Sequence, residues 1–504
     1  MSATLCAMDV RGGVQRSAAL PEAGVGWSTA TLAAAALVAV VAVAVTLTAF
    51  SHDYDEGVYL QSLTSLDAGH AIYSSVFSSQ PPLFLFSLLP SFHLAGPSLV
   101  AARSPLVLFA LAGLVAVWRL GRRAGTNSGL LAPALVLSVG LFVMSADRVD
   151  ATLPSVALCV VGVSVAGAAG RHRGRARLGL AFVAGLVLAG ATMIKLLGVV
   201  GVVPAALFLV GPAKARPDLA PAPGGQAKAD GWLSGLPAAA VLGLAALGGV
   251  VAVSAVFWSH GDLYAQVVRF HLRARGVRSG PLFNLKVLSA ATLTTPALLA
   301  SALAAGIVVW RRVTAATIYV AWLTTGGVFL LLQHPMFRQH ELILVPPAAL
   351  IVAGLPAWLA QQGISETMTR WCRIAISVVV AFGLLGVAYG TAKTSRSASP
   401  ATAEVINALR LDVPASTLVV TDDPVTVAAA GRSVPPALVD TSNVRFESGD
   451  LTAEDLIAIT DAQAGAVLLT GGRFEQAPAF TAWVDQHFVL KTTFRDGAKL
   501  YTRS

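Results

Sequence analysis

Residues 27–50 read WSTATLAAAALVAVVAVAVTLTAF, and residues 51–59 directly after them read SHDYDEGVY. The first stretch carries no charge over a length sufficient to cross the roughly 30 Å hydrocarbon layer of a bilayer as one helix. It is too long for the core of a cleaved signal, and no small-residue cleavage pattern precedes the polar segment. It therefore reads as an uncleaved first span. The second stretch sets Asp53, Asp55 and Glu56 within four residues, where the chain leaves the membrane. Charged groups at such a boundary are costly unless they are solvated, paired or used.

The whole chain agrees with that opening. Its 504 residues are 55% hydrophobic and only 12% charged, with a mean hydropathy of +0.72. Soluble domains carry about 25% charged residues, so too little polar surface is present to coat a water-soluble core. A cytosolic enzyme, a disordered chain and a small disulfide scaffold are excluded. Ten further apolar runs follow, at 98–118, 128–145, 153–170, 178–194, 196–210, 233–258, 287–310, 314–332, 342–359 and 374–389. About eleven spans result, and the 178–210 stretch, interrupted only by Lys195, reads either as one long span or as two short ones. The expected fold class is an α-helical polytopic membrane protein.

Charge divides the chain. Residues 1–400 hold 27 Lys+Arg against 13 Asp+Glu, whereas residues 401–504 hold 8 against 13. The basic excess sits in short loops: Arg119, Arg122 and Arg123; Arg171 to Arg177; Lys214, Arg216 and Lys228 in a Pro/Gly/Ala-rich linker; Arg311 and Arg312; Arg370 and Arg373. By the positive-inside rule these lie in the cytoplasm together with the tail 1–26. The segments 51–97, 147–150, Lys195, 259–286, 334–341 and the acidic tail then face outward. The 259–286 segment runs against this rule with Arg269, Arg273, Arg275, Arg278 and Lys286, and reads as an interfacial helix gripping anionic lipid. No concentrated basic face for nucleic acid occurs. Cys6, Cys159 and Cys372 are far apart and argue against a disulfide framework.

From residue 395 the pattern changes to short alternating elements. Helical periodicity at 402–411, 452–459 and 480–487 alternates with strand-like runs at 416–420 and 466–470, and residues 488–494 and 499–502 pair across Asp496-Gly497. This is a small extracytoplasmic α/β domain, 395–504, appended to a membrane domain, 27–394.

The residues DEGVYLQSLTSLDAGHAIYSSVFSSQPPLFLF, 55–86, resemble the first external loop of the polytopic C-type (GT-C) glycosyltransferases. The likeness is to the protein-mannosyltransferase-like and aminoarabinose-transferase-like group, glycosyltransferase family thirty-nine. Asp55, Glu56, Gly57, Tyr59, Gln80, Pro81, Pro82 and Leu83 match its Asp-Glu-Gly-x-Tyr and Gln-Pro-Pro-Leu elements in order, although Tyr73-Ser74-Ser75-Val76-Phe77 is more neutral than the usual spacer. Arg148-Val149-Asp150, Met193-Ile194-Lys195 and Arg338-Gln339-His340 with Pro346-Pro347 resemble its later motifs, with Glu341 in place of the usual aromatic.

The resemblance implies a donor sugar on a polyprenyl phosphate and transfer to a hydroxyl, with inversion, on the external face of the plasma membrane. Asp55 would take the acceptor proton with Glu56 beside it, Asp53 being the runner-up. Lys195, with Arg338 and His340, would bind the departing phosphate. Tyr54, Tyr59, Gln80, Arg148 and Asp150 would line the site. No cofactor is required, a divalent cation on Asp53, Asp55 or Glu56 being the alternative. The partners implied are membrane lipid, the lipid-linked sugar, and a glycan, lipid or protein acceptor. Rival readings are a transporter or flippase of lipid-linked sugars, which predicts internal repeats that are not found, and a non-catalytic lipid-binding member of the fold.

Overall fold

The computed structural model describes residues 25–211, 232–258, 261–274, 280–394 and 398–503. The N-terminal tail with Cys6, the linker with Lys214, Arg216 and Lys228, and Arg275 and Arg278 lie outside these residues.

Helix α1 (Val25–Thr46) ends in the short polar stretch that leads to Asp53. The Asp53 side chain accepts the Glu56 N–H and so caps α2 (Tyr54–Asp67). The expected first external loop is thus built from α2 and from α3 (Leu83–Ala95). Next come α4 (Leu99–Gly121), α5 (Thr126–Leu137) and α6 (Gly140–Ser145), the apolar run 128–145 being broken at Ser138 and Val139. The break accommodates a close neighbour, since a Cβ on Gly383 would stand 2.4 Å from the Ser138 carbonyl oxygen.

Helices α7 (Thr152–Ala169) and α8 (Gly174–Ile194) follow, and Lys195 is extended, with φ −154° and ψ 135°. A 3₁₀ turn at Leu196–Gly201 then opens α9 (Val202–Val210), so the 178–210 stretch is two helices parted at the lysine. After α10 (Leu236–Trp258), a π-helical turn at Ala265–Arg269 runs into α11 (Phe270–Arg273). Gln266 ties this segment to the 73–78 loop, donating to the Tyr73 carbonyl at 2.6 Å and accepting the Ser78 N–H at 2.9 Å.

The run expected as one span at 287–310 is two helices, α12 (Pro281–Thr294) and α13 (Pro296–Trp310), bent by 100°. Pro296 has no N–H to continue the ladder, which places it at the start of a new helix. Then come α14 (Thr317–Leu332), the 3₁₀ turn Arg338–Leu344, α15 (Val345–Gln361) and α16 (Glu366–Thr394). Among the described residues eight helices are long and apolar enough to cross a membrane, or nine if the bent pair is one span. Residues 126–137, within the run expected as a span at 128–145, and residues 196–210 form shorter apolar helices, so two of the about eleven expected spans are not long enough to cross. Leu37, Leu108, Leu244, Leu303 and Leu385 point outward and are mostly exposed. A bilayer solvates such a surface, whereas water would not.

The C-terminal unit contains α17 (Pro400–Asp412), β1 (Leu418–Thr421), α18 (Pro424–Ala429), α19 (Asn443–Glu447) and α20 (Ala453–Gln463). It is completed by β2 (Ala464–Leu469), α21 (Pro478–His487), β3 (Val489–Thr493) and β4 (Lys499–Thr502). The sheet order is β1-β2-β4-β3, with β1 and β2 parallel and the other pairs antiparallel. Val420, Leu456, Val467, Phe480 and Tyr501 form its core. The unit docks on α2. Gln61 donates to the Arg432 carbonyl at 2.9 Å and accepts the Val434 N–H at 3.2 Å. Gly57 lies so close to α18 that a Cβ there would meet the Val425 backbone nitrogen at 2.3 Å.

Candidate active site

Asp55 stands in the first turn of α2, and its carboxylate accepts from Gln339 Nε2 at 3.2 Å. Burial, reinforced by the Asp53 and Asp150 carboxylates and opposed by Lys195, pushes its pKa up to about 7. An acid in that range exchanges its proton near neutral pH, as a general base must.

Glu56 goes elsewhere. Its carboxylate is gripped by Arg103 through Nε at 2.8 Å and Nη2 at 2.7 Å, and it accepts the Val149 N–H at 3.0 Å. It lies in the core and lines neither of the cavities described below. A helix turns successive side chains by about 100°, so Asp55 and Glu56 cannot face one hydroxyl. That corrects the expectation that Glu56 stands beside the reacting oxygen. Asp53 is likewise engaged, capping α2 and facing Arg148 Nη1 at 3.3 Å. Glu56 turns away from Asp53 and Asp55 to Arg103, so the cluster of three expected as the cation alternative is not assembled. Among the described residues no group of three or more His, Cys, Asp or Glu is arranged to hold a metal ion.

Lys195 occupies the break between α8 and the 3₁₀ turn and is buried. Its Nζ donates to Thr152 Oγ1 at 2.8 Å and lies 4.0 Å from Asp150 Oδ2. Asp150 in turn accepts the Thr152 N–H at 2.7 Å. His340 is buried on the turn before α15, and its Nδ1 takes the Phe337 N–H at 3.4 Å and faces Gln333 Nε2 at 2.9 Å. With Nδ1 accepting, the neutral ring carries its proton on Nε2.

Two cavities meet at Asp55. The smaller, about 230 Å³, is walled by Tyr59, Gln80, Lys195, His271, Gln333 and His340. The larger, about 1030 Å³, is lined by Arg148, Arg338 and Arg473 and by the carboxylates of Asp53, Asp150, Glu341 and Glu447. Its apolar wall comes from Leu141 and Met144 of α6, Leu298 of α13, Val345 of α15, and Val379 and Phe382 of α16. Tyr54, Asp55, Phe337 and Gln339 border both. Arg338 is therefore not grouped with Lys195 and His340 as expected. It flanks Gln339 on a 3₁₀ turn, where neighbouring side chains point about 120° apart, and it opens onto the larger cavity.

Tyr54 and Tyr59 play unequal parts. Tyr59 packs edge-on to Phe84, with centroids 4.8 Å apart, and faces the smaller cavity. The Tyr54 hydroxyl donates to Asp440 Oδ1 at 3.0 Å and accepts the Thr441 N–H at 2.6 Å, while the Arg473 guanidinium lies 3.5 Å above its ring. Burial first, then the Asp440 carboxylate, raises its pKa well above the phenol range, so it stays neutral.

Residues 79–221 match the family model described as dolichyl-phosphate-mannose-protein mannosyltransferase. The crystal structure of ArnT from Cupriavidus metallidurans bound to undecaprenyl phosphate superposes with a TM-score of 0.64 at 13% identity, covering 95% of this chain and 98% of that one. The chain has the C-type glycosyltransferase fold. The archaeal oligosaccharyltransferase AglB from Archaeoglobus fulgidus, in complex with an inhibitory peptide and a dolichol-phosphate, shares this fold at a TM-score of 0.52 and 12% identity. It covers 95% of this chain and 74% of that one. No curated protein sequence matches the chain.

Within this C-type fold, sequence reasoning missed Arg103, Gln339, Asp440 and Arg473 as structural neighbours of the expected site. Arg103 carried a readable signal, a charge inside an apolar run. Gln339 lay between two residues already singled out. Asp440 and Arg473 reach the cavities because the C-terminal unit folds onto α2; Gly472-Arg473-Phe474 is a stretch that resembles the family's tail, whereas nothing local in the sequence marks Asp440.

Proposed function

We propose that this protein is a membrane glycosyltransferase that moves a sugar from a polyprenyl phosphate to a hydroxyl acceptor, with inversion, on the side of the membrane that carries the C-terminal domain. The observation that carries the proposal is the position of Asp55 between two cavities, with a pKa near 7. Inversion needs the acceptor oxygen and the phosphate on opposite sides of the anomeric carbon, with the base on the acceptor side. A base in the shared wall meets that requirement.

In this reading the smaller cavity takes the sugar phosphate and the larger takes the acceptor. Asp55 removes the acceptor hydroxyl proton as the oxygen attacks the anomeric carbon. The bond from that carbon to the phosphate oxygen breaks, and its electron pair leaves with the lipid phosphate. Lys195, seated on Thr152 Oγ1, stabilises the growing anion, aided by an Nε2–H from His340. Fixed charges in a dry site need no reorganisation during the step, and such groups are worth about 10²–10³ in rate. Gln339 orients the Asp55 carboxylate. Glu56 and Arg103 hold α2 in place.

The arginine clusters at 119–123, 171–177 and 311–312 support an outward-facing site by the positive-inside rule. The ArnT structure with undecaprenyl phosphate and the AglB structure with dolichol-phosphate support the donor class by likeness of fold. The test supplies membranes containing the protein with radiolabelled polyprenyl-phosphate sugars and follows lipid-bound label into acceptor fractions. Label transferred above that of membranes without the protein is expected. No transfer from any polyprenyl-phosphate sugar would contradict the proposal.

A further inference from the structure

Arg473 reaches the larger cavity from the C-terminal unit, and its surroundings are built to hold it still. Asp422, fully buried at the end of β1, accepts four hydrogen bonds: Thr470 N–H and Oγ1–H on Oδ1, both at 2.9 Å, and the Gly472 and Arg473 N–H groups on Oδ2 at 3.0 and 3.1 Å. The backbone at Arg473 is thereby fixed. Its side chain donates one hydrogen bond, from Nη1 to the Asp422 carbonyl at 3.1 Å, and its guanidinium carbon lies 3.5 Å from the centre of the Tyr54 ring.

Among the described residues Arg473 makes no ion pair with a carboxylate, unlike Arg148, which faces Asp53, and Lys195, which faces Asp150. An arginine fork with no carboxylate at salt-bridge distance among the described residues, on the wall of a cavity, suits a phosphate oxygen pair. The apolar wall of the same cavity, from α6, α13, α15 and α16, suits an acyl or prenyl chain.

We propose that Arg473 is a phosphate-binding residue that the C-terminal domain adds to the larger cavity, where it takes the phosphate head of a lipid. The proposal rests on the glycosyltransferase reading above and adds a ligand class to its larger cavity. Asp422 is then a positioning residue that acts through Arg473. Two lipids carry the required head: an anionic phospholipid-like acceptor, which agrees with the acceptor cavity above, and the polyprenyl phosphate of the donor, whose binding there would reverse the assignment of the two cavities.

Native mass spectrometry of the detergent-solubilised full chain tests this with three probes: undecaprenyl phosphate, phosphatidylglycerol and uncharged undecaprenol. Arg473→Gln is expected to weaken one of the two phosphate lipids by about tenfold or more, the worth of a charge-assisted hydrogen bond. Undecaprenol binding stays within about twofold on the same scale, and Arg473→Lys recovers part of the loss. Whichever phosphate lipid is affected identifies the source. Unchanged binding of both phosphate lipids overturns the proposal, as does an equal loss for undecaprenol, which means a structural role only. If wild type does not prefer phosphate lipids to undecaprenol, this proposal falls and the donor class falls with it. Normal phosphate dependence without sugar transfer counts against the glycosyltransferase reading alone.

Discussion

Arg103 and Glu56 form a bidentate pair at 2.8 and 2.7 Å, with both side chains 1% exposed. The same guanidinium donates from Nη1 to the carbonyls of Thr46, Leu47 and Ala49, at 2.8, 2.9 and 3.0 Å, satisfying the end of α1. One buried cation therefore binds the end of the first span to the start of the helix that presents Asp55.

Breaking that pair leaves a buried charge without its partner, which costs about 3–5 kcal/mol. Glu56→Ala and Arg103→Ala are each expected to lower the unfolding temperature of the detergent-solubilised protein sharply and to cut its yield. The double variant Glu56→Leu with Arg103→Met removes both charges, and its unfolding temperature is expected above that of either single variant. Equal stability of Glu56→Ala and wild type in a thermal melt contradicts a structural role for the pair.

Gly57 explains a glycine in the Asp55-Glu56-Gly57 motif. Its missing side chain lets α2 approach α18, and an added Cβ would stand 2.3 Å from the Val425 nitrogen and 2.7 Å from its Cα. Neither helix backbone has a soft atom to give. Gly57→Ala is expected to loosen the C-terminal domain, read as faster cleavage of that domain in limited proteolysis and as lost transfer. Gly179→Ala, with open space around it, is the control and leaves both unchanged.

Much of this fold was legible because membrane spans and strand pairs are written locally. The apolar runs marked the eight helices long enough to span, though they missed the break at 138–139 and left the one at 195 open, and Asp496-Gly497 marked the β3–β4 hairpin, where Gly497 has φ +88°. The run at 287–310 shows the limit of hydropathy most clearly. Both arms are apolar, so only Pro296 hinted at the 100° bend. Within the site, adjacency in sequence misled twice. Asp55 and Glu56 are neighbours on a helix and Arg338 and His340 flank one turn residue, yet helical rotation sends each pair to different surroundings. The arrival of Asp440 depends on docking between distant segments, which no local pattern encodes, and Gly472-Arg473-Phe474 carried a likeness but no indication of which cavity it would reach.

Lys195 is expected to act on rate more than on binding. Lys195→Met removes the fixed cation and is expected to lower kcat by about a hundredfold or more, with a smaller change in KM. Lys195→Arg is not expected to restore it, because the longer planar fork does not fit the seat on Thr152 Oγ1. Steady-state kinetics on purified variants check this, and a KM-only effect contradicts the assignment.

Activity is expected to rise with pH through about 7 as Asp55 ionises. Stability should run the other way. The folded pKa of Asp55 lies above its unfolded value, so between roughly pH 4 and 7 the folded state binds the extra proton, and stability falls as pH rises. Asp147, buried outside both cavities, also sits near 7, raised by burial and lowered by Arg103 and Arg148. Asp147→Asn is the control that separates them. It is expected to keep the pH–rate profile, whereas Asp55→Asn is expected to melt no lower than wild type at pH 8. A rate profile that shifts with Asp147→Asn instead contradicts the assignment of the base.

The central claim is that Asp55 takes the acceptor proton, and transfer from a radiolabelled polyprenyl-phosphate sugar by Asp55→Asn protein tests it most directly. Asparagine keeps the shape and the contact to Gln339 but accepts no proton, so a drop in kcat of at least about a hundredfold is predicted, with binding of the donor retained. Transfer by the variant at the wild-type rate would contradict the account.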